Sequence, residues 1–211
     1  MCNTKKEADL IKIRLIKWLQ KKYSNEIIIG NEVLYSIHQR RADLLMIKDN
    51  CMYAFEIKSE KDTILRLDEQ LNDYITTFDF VYIVSTDKIR TLIKDKVPYN
   101  VGFISIDNEI TLKRTAKQIK RLSKRNLAEF LDLVTMRHLM PKYNRKKISV
   151  YDVREQFSKN VSTQTIKKAA VDKLYKRYKK LYELFLYDTA DGEILLEDLR
   201  SLTGNIREEI Y

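Results

Sequence analysis

Glycine and proline are scarce in this chain, at four and two of its 211 residues. So few turn-formers exclude a disordered or low-complexity polypeptide and favour long regular elements with few tight turns. Cysteine is equally sparse: Cys2 and Cys51 make no disulfide framework and have no zinc-ligand spacing. Cys51, at the start of an apolar segment, is expected as a buried thiol. No window approaches the unbroken apolar length of a membrane span. The basic flank Lys5-Lys6 has no long apolar run behind it, so no signal peptide is expected. No repeat recurs at a fixed period. These absences together predict a cytoplasmic protein that does not enter a membrane.

What the chain has is apolar bulk and positive charge. A hydrophobic fraction of 44% with 33% charged residues describes a globular protein with a heavily charged surface. The formal net charge of +10 favours a polyanionic partner, nucleic acid before membrane. A merely solvated basic surface has the same balance and is the competing explanation.

Taken in order, Thr4 with Glu7 three residues later has the pattern of a capping box opening a helix to about Tyr23. Leu10, Ile11, Leu15, Trp18 and Leu19 would face the core, with Lys6, Lys12, Arg14, Lys17 and Lys21 in water. Glu26–Ile37 reads as one strand with a kink at Gly30, or as two short ones, and His38 as a surface residue. Arg41–Ile47 and Met52–Lys58 read as adjacent strands joined through Lys48-Asp49-Asn50-Cys51. Asp62 can cap a helix to about Thr77, followed by a strand at 80–84, a helix at 86–96 and a final strand at 101–106. That alternation predicts parallel pairings on the later side of a mixed α/β sheet. From Leu112 on the pattern is helical: 126–139, about 150–157, a long helix starting from a Ser162 cap, and a last helix over 191–207. Two units are therefore expected, 1–111 and a basic helical region, 112–211. The two helices around Ser158-Lys159-Asn160-Val161 could form a helix-turn-helix, although no base-reading set can be named there and an ordinary hairpin is the simpler reading.

The chemistry centres on Asp43, Glu56 and Lys58. Side chains alternate along a strand, so Glu56 and Lys58 share one face while Phe55 and Ile57 take the other. Asp43 lies in an apolar run, where an unpaired charge would cost several kcal/mol. A divalent cation shared by Asp43 and Glu56 would compensate it, because hard cations take carboxylate and carbonyl oxygens. The bland alternative is a Glu56–Lys58 salt bridge beside a chance aspartate.

The order D-x(n)-E-x-K on neighbouring strands resembles the PD-(D/E)XK nuclease superfamily, whose fold is restriction-endonuclease-like. The similarity extends through Phe55-Glu56-Ile57-Lys58-Ser59-Glu60-Lys61-Asp62-Thr63, Arg66-Leu67, Gln70, Tyr74 and Phe78-Asp79-Phe80-Val81. This run is similar to that of an uncharacterised bacterial branch, in which an upstream acid is matched by Glu32 and an Arg-Ala-Asp by Arg41-Ala42-Asp43. The branch also has a helical carboxy-terminal part. Ala42 stands where the superfamily name has a proline that many members lack. The resemblance implies Mg²⁺ or Mn²⁺ held by Asp43 and Glu56 with the Ile57 backbone carbonyl and Glu32, Lys58 acting on the attacking water or the phosphate, and Gln70 positioning them. The expected function is metal-dependent DNA phosphodiester hydrolysis by an endonuclease. Arg41 and the cluster Lys142, Arg145, Lys146 and Lys147 are expected on DNA phosphates; a monomer and a homodimer are both compatible with this. Two rivals stand beside it: a non-cleaving nuclease-fold module that binds DNA or a partner, and a protein whose basic helices dock an acidic partner.

Overall fold

The computed structural model describes residues 2–35, 40–60, 62–140 and 149–204, apart from the side chains of residues 2–5 and 25. Six strands form one sheet in chain order: β1 (Ile28–Leu34), β2 (Arg41–Lys48), β3 (Cys51–Lys58), β4 (Phe80–Ser85), β5 (Gly102–Ile106) and β6 (Ile110–Arg114). The pairs β1/β2 and β2/β3 are antiparallel, β3/β4 and β4/β5 parallel, and β5/β6 antiparallel again. The mixed α/β sheet expected from the alternation is therefore present, with its parallel pairings on the later side. The β2–β3 hairpin turns at Asp49 and Asn50, both left-handed at φ 51° and 56°, which suits residues that tolerate that region in a two-residue turn.

Eight α-helices complete the described chain. They are α1 (Cys2–Tyr23), α2 (Leu67–Thr77), α3 (Asp87–Ile93), α4 (Lys124–Ala128), α5 (Leu133–Leu139), α6 (Val150–Asn160), α7 (Thr163–Asp188) and α8 (Asp198–Ser201). The stripe Ile11, Leu15, Ile16 and Leu19 lays α1 on the sheet face that carries Leu44, Met46, Phe55 and Ile57. The other face, with Leu45, Ile47, Met52 and Ala54, is covered by α2, α4, α6 and the first half of α7 in one continuous core. Helix α7 passes the β1 edge and joins both cores, Leu174 and Tyr178 in one and Tyr182 and Phe185 in the other. Gly30 allows that crossing: a Cβ there would lie 2.8 Å from the Tyr178 ring. Among the described residues no helix is long and apolar enough to cross a membrane.

Several expectations change. Residues 110–114 form β6, a strand across the expected boundary at 111–112, whose pattern of mostly exposed positions hides the alternation. Such basic, weakly buried strands are common at sheet edges, where they discourage pairing with other chains. The single helix expected over 126–139 is two, because Asp132 accepts the Thr135 N–H at 2.7 Å and caps a new start. Asp62 caps no helix; it accepts from the backbone and hydroxyl of Ser59, and α2 begins at Leu67. Thr4 lies inside α1 rather than before it, and Leu10 is exposed. The stretch 191–207 holds only the short α8 within its described part. Cys51 is half-buried, not enclosed; partial burial with Asp79 nearby pushes its thiol up, which keeps it protonated. Helices α6 and α7 are joined through Val161 and Ser162, and Val153, Phe157, Val161 and Ile166 are buried in the same core.

Candidate active site

Strand pairing gathers the acids. Continuing the β1–β2 and β2–β3 registers by one step puts Glu32 across from Asp43 and Asp43 across from Glu56. The row is not a regular ladder. Ala42 and Val33 pack in the same core as Leu45 and Ile47, although strict alternation from Leu44 would send Ala42 to the other face. At this slip Glu32 adopts φ 51°, unusual for a non-glycine residue within a strand. Asp43 there directs Oδ2 to the Ile57 backbone N–H on β3, at 2.7 Å.

Glu56 and Lys58 are buried at 3% and 6% exposure and share a face, as alternation requires. Both point toward α2, whose Gln70 and Tyr74 are one turn apart. Lys58 Nζ donates to Gln70 Oε1 and pairs with Glu56 Oε1, each at 2.8 Å. Gln70 Nε2 donates to the same Glu56 oxygen at 2.7 Å, closing a ring of three contacts. The Tyr74 hydroxyl donates to Glu56 Oε2 at 2.7 Å. Tyr35 and Phe78 pack edge-on and tilted against the Tyr74 ring and wall this side of the site.

The electrostatics follow from burial. Desolvation first, then the Glu56 charge, raise the Asp43 carboxyl well above the ordinary carboxylate range; Lys12 and the Ile57 N–H oppose the rise and Glu32 adds to it. Tyr74 is likewise held well above its usual value by burial and by Glu56. Lys12 is the residue that sequence patterning misplaces. It is 3% exposed, paired with Glu32 and 3.8 Å from Asp9, not in water. Its spacing to Leu15, Ile16 and Leu19 is that of the buried stripe, and this signal could have located it. Tyr74 is the second addition, one helical turn after Gln70.

The other expected residues fare differently. Arg41 is exposed at the start of β2. Lys142, Arg145, Lys146, Lys147 and His38 lie outside the described residues. The Ile57 amide contacts Asp43 through its N–H. Among the described residues no group of three or more His, Cys, Asp or Glu is assembled as a ready metal cage. The donors are nonetheless of the right kind. Asp43 is a half-buried carboxyl beside a second one, an arrangement a hard cation would relieve. Glu56, already carrying three donors, would have to release one to bind an ion.

Comparison with known proteins gives a family but no activity. Protein cII of Enterobacteria phage P4 is 30% identical over 202 residues, covering 92% of this chain and 76% of that protein. A protein of unknown function from Silicibacter pomeroyi superposes with a TM-score of 0.41 at 11% identity, over 86% of this chain and 94% of that one, too loosely to carry an argument. The family model described as bacteriophage P4 protein cII matches residues 1–203. The chain belongs to the bacteriophage P4 protein cII family.

Proposed function

We propose that this protein is a metal-dependent DNA phosphodiesterase acting as an endonuclease. The observation that carries the reading is the ring of Glu56, Lys58 and Gln70 from β3 and α2, with Asp43 of β2 tied to the Ile57 amide that lies between Glu56 and Lys58. Asp43 and Glu56, with Glu32 and the Ile57 carbonyl, would hold Mg²⁺ or Mn²⁺, which when bound neutralises phosphoryl charge and acidifies water. Lys58, held by Gln70 and Glu56, can turn its ammonium to the attacking water or the scissile phosphate and stabilise the charge that develops there. Gln70 has both a donor and an acceptor in the ring and would orient that water. Tyr74 fixes the Glu56 carboxylate from behind. The basic surface would grip backbone phosphates, so binding should weaken steeply with salt. The work would be done in the cytoplasm, where DNA is accessible.

One observation favours a second reading, the non-cleaving module. Glu56 is saturated by Lys58, Gln70 and Tyr74, the state expected of a carboxylate kept for structure. Incubating the protein with supercoiled plasmid and Mg²⁺ or Mn²⁺ separates the two. Nicking lost in both Lys58→Ala and Asp43→Ala supports the nuclease. DNA binding with no nicking by the native protein supports the module, and nicking that persists in both variants is contamination.

A further inference from the structure

Between α4 and α6, on the helical side of the molecule, lies a groove of about 530 Å³ that shares no residue with the acid row. Tyr151, Arg154 and Ser158 follow one another at spacings of three and four on α6, so they form one face of that helix. Arg125 and Glu129 oppose them across the groove. Tyr151 is 62% exposed, so its ring can be contacted from solvent. The Arg125 guanidinium lies 5.9 Å from the Tyr151 ring centroid. Arg154 pairs with Glu129, and Lys159 pairs with Glu155 at 2.6 Å, so the acids in the groove are already neutralised. Two donors remain: Arg154 Nε and Ser158 Oγ are buried and have no hydrogen-bond partner among the described residues. Leaving buried donors unmade is costly, and an acceptor entering the groove would remove the cost once the Arg154 and Ser158 side chains turn toward it.

The ligand that fits this set is planar, has acceptors along one edge and belongs to a polyanion. The segment that leads into the groove, residues 117–125, holds five Lys and Arg and no acid; Lys117, Lys120 and Arg121 within it are exposed. A nucleobase has a π-face for Tyr151 and Arg125 and carbonyl or ring-nitrogen acceptors for Arg154 and Ser158, while its backbone phosphates would meet the lysines. Bases in a duplex are stacked and cannot enter. On the reading that this chain acts on DNA, we propose that the α4–α6 groove binds one unpaired base of a DNA strand, stacked beside Tyr151 and Arg125.

The test uses the full chain in EDTA, so that cleavage plays no part. The probes are a single-stranded oligonucleotide carrying 2-aminopurine and the duplex of the same sequence. The groove predicts tighter binding of the single strand and quenching of 2-aminopurine on binding. Tyr151→Ala should weaken single-strand binding about tenfold and abolish the quench, Tyr151→Phe should preserve both, and duplex binding should be equal in all three. Tyr151 is exposed, and unchanged thermal melting of the alanine variant checks its fold. Single-strand affinity and quenching that survive Tyr151→Ala overturn the proposal, whether or not the protein nicks plasmid. A protein that quenches through Tyr151 but never nicks DNA keeps the groove and loses the nuclease.

Discussion

In the sheet, charge is buried and over-determined: Glu56 has three donors and Lys58 two partners, and beside them the half-buried Asp43 carboxyl is held to the backbone of the next strand. In the helical region most of the described lysines and arginines are exposed, and Lys159 pairs with Glu155 and Lys173 with Asp132 on partly open surface. A group fixed from several sides can do chemistry at a point, whereas a swarm of mobile cations can only hold a polyanion. The two regions are joined by a buried device of the first kind. Asp79, 1% exposed, accepts from Lys167 of α7 at 2.6 Å and from the Met52 N–H of β3 at 2.9 Å.

That contrast can be broken. Lys58→Ala should lower cleavage about 10²–10³-fold while leaving DNA affinity near native, measured by plasmid nicking and by anisotropy in EDTA; an equal loss of cleavage in Lys120→Ala would erase the distinction. Asp79→Ala should cost about 3 kcal/mol in urea unfolding, since it strands the Lys167 charge and an amide of β3. Lys159→Ala, which removes an exposed pair, should cost well under 1 kcal/mol.

The raised Asp43 carboxyl makes the stability of the sheet region depend on pH. The native state holds that proton more tightly than the unfolded chain, so above the ordinary carboxylate range unfolding releases a proton and stability falls as pH climbs toward the raised value. Asp43→Asn should flatten this fall in metal-free protein, as read by thermal melts across pH. A fall that stays equally steep would place its origin elsewhere. The smallest effect belongs to the surface: Lys120→Ala should reduce the slope of log affinity against log salt by about one, uniformly across DNA sequences.

The site was legible where local rules suffice. Alternation put Glu56 and Lys58 on one face, and Asp49-Asn50 marked the hairpin that brings Asp43 beside them. It was illegible where tertiary context decides. Lys12 looks like a wet residue until Glu32 supplies its counter-charge within the core. The slip at Ala42–Leu44 and the left-handed Glu32 have no composition signal, because nothing local demands them. Strand β6 escaped because an edge strand buries little and so shows no alternation. The break between α4 and α5 depends on one Asp132 cap inside an otherwise apolar-periodic run.

The most direct measurement is a crystal of the native protein soaked in Mn²⁺, with anomalous diffraction used to locate the ion. A two-carboxylate metal site gives a single strong peak shared by Asp43 and Glu56, with Gln70 or Lys58 displaced from Glu56. A difference map with no peak there, and Glu56 still bound by Lys58, Gln70 and Tyr74, would contradict it.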